Sequence, residues 1–413
     1  MRTLQPKLRF LEFNDIWEKN IIGNIADVSS GGTPSRSNAN YWGGNIPWVS
    51  TTLIDFNRIK STDEFITEDG LKNSAAKIFP KGTLLMALYG QGKTRGKISI
   101  LDIDASTNQA CGAIIPNQLK INSRFLFQNL AGRYDEIRDL SNQGGQENLS
   151  GGILKNIDIY FPTLPEQNKI ADFLSEIDKK INLLKEKKSL LEDYKKGIMQ
   201  KIFSQEIRFK DDNGKNYKNW VETSLGNIGN TFNGLTGKTK ENFGVGGKPY
   251  IQYKQIFDNS KINIDKCEFV EITGKDNQNS VQFGDVFFTV SSETPNEIGT
   301  ASVLLDNVKE MYLNSFCFGY RANSLKVLVP EFSRYLFRSE LFRSEIVKLA
   351  QGSTRYNMSK VSLMKLIVLL PQAEEQIKIA NFLSAIDEKI ELVSNQIQDT
   401  LEYKKGLLQQ MFV

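Results

Sequence analysis

Two stretches of the chain place apolar residues at alternating intervals of three and four. In the first, Ile170, Leu174, Ile177, Ile181, Leu184, Leu191, Tyr194, Ile198 and Ile202 keep the rhythm, with Lys188 as the single polar interruption. In the second, Ile379, Leu383, Ile386, Ile390, Val393, Ile397, Leu401 and Leu408 do the same. This period draws one apolar stripe along a helix, the seam of a coiled coil. At 1.5 Å per residue, ~38 residues reach roughly 57 Å. Thr163 and Glu166 have capping-box spacing, and Pro165 falls in the first turn, where its missing N–H costs nothing. A seam this long must be buried. The economical partner is the other helix of the same chain, run antiparallel about a pseudo-two-fold axis; homodimerisation through the same stripes competes with it.

The stripes belong to an internal repeat. Glu166–Leu184 (EQNKIADFLSEIDKKINLL) reappears at Glu375–Val393 (EQIKIANFLSAIDEKIELV), and Tyr194–Phe203 (YKKGIMQKIF) at Tyr403–Phe412 (YKKGLLQQMF). Fainter matches continue upstream. Arg9-Phe10 answers Arg208-Phe209, Trp17 answers Trp220, and Pro47-Trp48-Val49 answers Pro249-Tyr250-Ile251. Asn108 and Cys111 answer Asn314 and Cys317, and Asn148-Leu149-Ser150 answers Asn357-Met358-Ser359. The chain reads as two copies of a unit of about 200 residues, each a variable globular part followed by a near-constant helix.

Within the globular parts the pattern is mixed. Residues 81–88 and 283–290 read as turn then strand, 97–101 and 301–305 as the next strands, and 123–140 and 331–350 as helices. Loops rich in Gly, Ser, Thr and Asn separate them at 29–40, 142–152 and 234–248. The expected fold is mixed α/β (α+β): two similar globular domains, 1–162 and 206–370, separated by helical regions 163–205 and 371–413 that pair as an intramolecular antiparallel coiled coil.

Composition narrows the chemistry. Of 413 residues, 40% are apolar and 24% charged, and none is histidine. Histidine-based acid–base catalysis, His-containing triads and His-containing zinc sites are therefore excluded. Cys111, Cys267 and Cys317 lack C-x-x-C spacing, which argues against a zinc ribbon, a redox pair or a disulfide framework and for a reducing, cytoplasmic setting. No apolar run suits a signal peptide or a membrane span. The net charge is only +4, but it is uneven: residues 72–97 carry six basic residues and no acid, and 321–365 about nine basic against three acidic.

Motifs for catalysis are weak. Gly90-Gln91-Gly92-Lys93-Thr94 resembles part of a phosphate loop, but Ala87 stands where the first glycine belongs and a strand-like KISIL follows instead of a helix. The corresponding loop of the second copy, VSSETPNEIG, has no Gly-Lys-Thr. Gly244-x-Gly246-Gly247 lies in a loop without a preceding strand. Asp178-Lys179-Lys180 and Asp387-Glu388-Lys389 read as alternating charge on the solvent face of the coiled coil. No Pro-Pro pair occurs, so an Asx-Pro-Pro-aromatic methyltransferase motif is absent. Cys111 and Cys317 read as buried apolar fillers. What remains is two similar domains with basic patches and different polar loops, a layout suited to reading two separated stretches of DNA. The candidate DNA-contacting residues are Thr33, Ser35, Arg36, Tyr89, Gln91, Lys93, Thr94, Arg95 and Lys97 in the first copy. In the second they are Lys238, Lys240, Ser291, Ser292, Thr294, Arg355 and Tyr356. Candidates for the coiled coil or for partner docking are Ile170, Phe173, Leu174, Ile177, Ile181, Ile379, Phe382, Leu383, Ile386 and Ile390.

Three motifs, GGTPSR with YWGGNIPW (residues 31–36 and 41–48), ALYGQGKTRGK (87–97) and the two Glu-Gln helices ending in Tyr-Lys-Lys-Gly, together resemble the specificity subunit of Type I restriction–modification systems over essentially the whole chain. The resemblance implies two target-recognition domains reading a bipartite, asymmetric double-stranded DNA target, with helices that set the gap and dock two modification (adenine methyltransferase) subunits. Restriction/translocase subunits would join them in a bacterial cytoplasm. S-adenosylmethionine, ATP and Mg are expected on those partners and no cofactor or catalytic residue in this chain. The competing reading is a non-catalytic coiled-coil scaffold presenting two protein-binding domains.

Overall fold

The computed structural model describes residues 5–90, 93–140, 148–352 and 354–413. The chain divides into two compact units, Met1–Lys185 with Ser394–Val413, and Glu186–Val393. This partition cuts across the sequence-based boundaries at 162/163, 205/206 and 370/371. The long helices, Leu164–Phe203 and Ala373–Met411, form no compartment of their own. Each gives one half to each unit, because a helical seam is buried only where other elements close over it.

In the first unit a five-stranded sheet runs in the order Ala26–Ser30, Cys111–Pro116, Leu84–Ala87, Ile98–Leu101, Arg58–Ile59, antiparallel except for the last pair. A second sheet pairs Trp42–Val49 with Glu64–Ile66 and Ser106–Thr107. Helix Ser123–Gly132, capped by the Asn122 side chain, lies over the main sheet with Tyr134–Asp139 following. In the second unit the main sheet has four strands: Gly229–Asn233, Cys317–Ala322, Val286–Thr289, Ala301–Val303. Among the described residues the Arg58–Ile59 edge has no strand counterpart here; the bridge Lys261 to Val303 stands in its place. The expected strands and helices are thus present, each helical stretch broken once, at Arg133 and around residues 337–339. Gly244 and Gly246 lie inside the strand Phe243–Ile251, not in a loop, at a bulge where both take positive φ. A Cβ on Gly246 would come within 2.8 Å of the Val270 carbonyl oxygen, so the glycines serve the bend. Cys111 and Cys317 sit at matching ladder positions, facing Ala87 and Thr289, and burial pushes both thiols up to about 12.

The helix seam is shared with the globular cores. In the first unit Ile170, Leu174, Ile177 and Ile181 are buried with Leu407 and Met411 of the other helix and with Phe125, Leu126 and Leu130. In the second, Ile379, Leu383 and Ile386 are buried with Ile202 and Phe203 and with Phe332 and Leu336, and Ile390 and Ile198 pack against them. Phe173 is covered by Phe10, ring centroids 5.9 Å apart, and Phe382 by Phe209 at 5.6 Å. All ten of these candidates for coiled coil or docking are therefore intramolecular contacts. The stripe departs from the sequence reading at two points. Tyr194 and Leu401 are 53% and 41% exposed, and the seam runs through their neighbours Lys195 and Thr400 and on through Lys404. A strict three–four alternation demands those positions, and polar partners make them tolerable. Lys195 pairs with Asp387 at 2.5 Å, and Lys404 with Asp178 at 2.6 Å. Asp387 also accepts from the Tyr335 hydroxyl and Asp178 from the Gln128 amide. Asp178 and Asp387 are thus interhelical partners rather than solvent-face charge.

The Glu-Gln motif anchors each helix start. Glu166 and Glu375 are fully buried, taking the guanidinium groups of Arg9 (2.7 and 2.8 Å) and Arg208 (3.1 and 2.7 Å). The carboxylate at Glu166 is spent on Arg9 and not on a capping box. Gln167 accepts from the Asn122 N–H and donates to the carbonyls of Lys120 and Pro162; Gln376 does the same with Val329, Val327 and Pro371. Replacing Glu166 by Ala strands the Arg9 charge and should lower the stability of the first unit by about 2–4 kcal/mol, less than a wholly enclosed pair would lose because Arg9 reaches solvent. Urea denaturation measures this, and a loss below about 1 kcal/mol would contradict the assignment.

Candidate nucleic-acid interface

Each unit opens a cleft where the loop after the central strand leaves the main sheet. In the first unit a cavity of about 390 Å³ is lined by Thr51, Thr52, Asp55, Tyr89, Gly90, Thr94, Lys97 and Ala110. In the second a cavity of about 460 Å³ is lined by Tyr253, Phe257, Ser291, Ser292, Glu293, Glu297, Phe316 and Arg355. The two clefts occupy the same place in the repeat. Both sit between the strand-end loop, the segment after the Pro47 or Pro249 strand, and the turn two residues past Asn108 or Asn314. Their floors are held alike. The Leu149 N–H donates to the Leu88 carbonyl and the Met358 N–H to the Val290 carbonyl, while Ser150 and Ser359 cap the short helices that follow.

The chemistry of the two clefts differs. In the first, Lys97 pairs with Asp55 at 2.6 Å, Tyr89 stands 42% exposed, and the Tyr134 hydroxyl pins the loop through the Lys93 carbonyl at 2.7 Å. In the second, the Tyr253 and Phe257 rings stack with centroids 6.3 Å apart. The Tyr253 hydroxyl donates to the Ser291 carbonyl, and burial pushes its phenol up. The Ser292 hydroxyl donates to Glu297 at 2.9 Å. Hydrogen bonds from Thr294 and Ser292 hold that carboxyl below its usual range.

The candidate residues fall into four places. Tyr89, Thr94 and Lys97 meet in the first cleft, with Lys93 exposed on the same loop; Gln91 lies outside the described residues. Arg95 is buried, only 8% exposed, and so is set back from the cleft surface. Ser291, Ser292 and Arg355 meet in the second cleft, with Thr294 exposed at its rim and Tyr356 half-buried in the rung opposite Ser292. Thr33, Ser35 and Arg36 line neither cleft. Thr33 donates to the Gln109 side chain and Ser35 shares a hydrogen bond with Ser37. Arg36 stacks on Trp42 and Trp48, 3.6 and 4.9 Å from the ring centroids, and pairs with Glu64, whose carboxyl it holds low. The indoles donate to the carbonyls of Ser35 and Gly32, so this motif builds a cage for its own loop. Lys238 is tied to Asp276 at 2.7 Å, whereas Lys240 is exposed.

The basic run 321–365 is divided: Lys326, Lys348, Arg355 and Lys365 are exposed, whereas its other arginines are half-buried and engaged within the unit. Arg321 pairs with Asp285 and Arg334 with Asp387. Arg338 donates to the carbonyls of Ala301, Ile256, Phe257 and Asn259, Arg343 to those of Gly299, Asn296 and Ile298, and burial pulls Arg338 down to about 10. In the run 72–97, by contrast, Lys72, Lys77, Lys81 and Lys93 are exposed. Sequence reasoning missed Asp55, Tyr253, Phe257 and Phe316; the matched Pro47-Trp48 and Pro249-Tyr250 motifs, a few residues upstream of the first three, were the available signal. Among the described residues no group of three or more Cys, Asp or Glu side chains could hold a metal ion, and no helix is long and apolar enough to cross a membrane.

The family model for the Type I restriction modification DNA specificity domain matches the chain twice, at residues 14–193 and 217–403. The chain is 28% identical over 275 residues to the Type I restriction enzyme MjaIX specificity subunit of Methanocaldococcus jannaschii, an alignment covering 63% of this chain and 62% of that relative. It is 22% identical over 412 residues to the MjaVIII specificity subunit of the same organism, covering 95% and 91%. The crystal structure of the Type-I restriction-modification system S subunit from M. genitalium shares the fold, with a TM-score of 0.58 at 16% identity over 99% of both chains. The cage reading of Arg36 predicts that Arg36→Ala lowers the stability of the first unit by about 0.5–1 kcal/mol and that Lys, which cannot stack as a plane, fails to restore it. A thermal melt in which Arg36→Lys matches the parent would contradict this.

Proposed function

Since the chain belongs to the Type I restriction modification DNA specificity family, we propose that each unit reads one half of a bipartite, asymmetric DNA target through its cleft and the loops around it. The observation that carries this reading is the pair of equivalent clefts, framed at matching positions of the repeat and furnished with different side chains. Identical clefts would suit an inverted repeat; unlike ones suit two different half-sites. Exposed Lys93 on the loop of the first cleft, with exposed Lys72, Lys77 and Lys81 from the same basic run, supplies the phosphate contacts that hold the domain in register, and the cleft side chains inspect base edges.

In this proposal the chain carries no chemistry of its own. It docks two modification subunits, one for each copy of the repeat, and these bring S-adenosylmethionine and methylate adenine. Restriction subunits bring ATP and Mg. Because the seam residues are buried, docking falls to the outer faces of the long helices, where Leu183, Leu190, Tyr194, Leu392, Leu401 and Tyr403 are exposed.

Two measurements test the reading. Lys77→Ala with Lys93→Ala should weaken DNA binding by the complex and reduce the magnitude of its salt slope by up to about 2, uniformly across sequences. An unchanged slope with the fold intact by circular dichroism would remove this face from the interface. Methylome sequencing of cells supplied with this chain as the sole specificity subunit should return two different half-sites, and a perfectly palindromic target would contradict the two-cleft argument.

A further inference from the structure

The second cleft carries a combination of groups that the first lacks. Its loop presents two carboxylates, Glu293 and Glu297, and the facing segment presents the Arg355 guanidinium. The ladder sets them side by side. Ser292 pairs with Tyr356 in an antiparallel rung, so the next position along the two segments holds Glu293 opposite Arg355, both exposed. Glu297 is oriented from beneath by the Ser292 hydroxyl. Phe316, 67% exposed, and the Tyr253–Phe257 stack form an apolar wall beside these charges. At the same place in the first cleft the single carboxylate, Asp55, is taken by Lys97, and Ala110 stands where Phe316 does.

The edges of the four bases in the major groove respond differently to such a site. Cytosine offers an amino donor at N4 and no acceptor; thymine and guanine offer acceptors that repel a carboxylate, and adenine sets its N7 acceptor next to its amino group. A guanidinium makes its best bidentate pair with O6 and N7 of guanine. Carboxylate and guanidinium in one cleft therefore match the two halves of a single C·G pair. The apolar wall is compatible with the C5 edge of the pyrimidine.

We propose that the second unit specifies a C·G base pair in its half-site, with the Glu293/Glu297 carboxylates accepting from the cytosine N4 amino group and Arg355 donating to guanine O6 and N7. This rests on the DNA-reading function above and adds the identity of one base pair to it. The probe is a library of duplexes of randomised sequence, offered to the complex of this chain with its modification subunit; the bound fraction is sequenced. The parent complex should enrich a target with a fixed C·G pair in one half. In the Glu293→Gln/Glu297→Gln variant the preference at that pair should fall by roughly 5- to 100-fold, with adenine admitted, because an amide both donates and accepts. Arg355→Gln should relax the same pair. The other half-site, unchanged, reports that the variants are folded and assembled. A parent target without a fixed C·G pair, or a carboxylate variant with unaltered preferences, would overturn the inference. So would an Arg355→Gln variant that binds all sequences more weakly by the same factor, the mark of a phosphate contact. Failure of the parent complex to enrich any sequence is a different result, and would overturn the DNA-reading function together with this refinement.

Discussion

The constraint on which the rest depends is the apolar seam of the two long helices. Helices of 40 and 39 residues expose a stripe too long for any one globular domain to cover. The repeat resolves this. In each unit the opening half of one helix meets the closing half of the other, and the recognition domain closes over both. The polar seam positions follow from the same requirement. Lys195 with Asp387 and Lys404 with Asp178 occupy equivalent places, each lysine at a position that the three–four alternation assigns to the seam, where a half-buried carboxylate supplies the countercharge.

Once the helices are fixed, the recurrent residues of the two copies acquire a common meaning. The Arg–Glu pairs, the Gln167 and Gln376 staples and the Leu149 and Met358 backbone ties all hold recognition domain to helix or loop to sheet. Arg36, Trp42 and Trp48 do the same for the first loop. The residues most conspicuous in the sequence are therefore frame, and the residues that differ between the copies, gathered in the two clefts, are free to set what each unit reads.

The helices, their approximate ends, the main strands and the two-fold repetition were legible in the sequence because period and repetition are properties of the chain itself. The seam's passage through Lys195, Thr400 and Lys404 was not, because an apolar Tyr194 or Leu401 one position away outweighs a lysine until its partner across the helix pair is known. Charge was legible only as composition. In 72–97 Lys72, Lys77, Lys81 and Lys93 are exposed while Arg95 and Lys97 turn inward, and 321–365 concealed Arg338 and Arg343, whose carbonyl partners lie 37 to 82 residues upstream. The cleft residues Asp55 in the first unit and Tyr253, Phe257 and Phe316 in the second lie beside or between the matched motif positions rather than at them, and reach their clefts only through the fold.

We propose that the paired helices fix the interval between the two sequences read. This is tested most directly by lengthening both helices by one heptad, inserted after Lys185 and after Ser394. Seven residues keep the seam in phase and add roughly 10 Å, about three base pairs of B-DNA. Methylome sequencing should then return the same two half-sites with the gap enlarged by about three base pairs. The same half-sites at the original gap, from an active complex, would contradict the account.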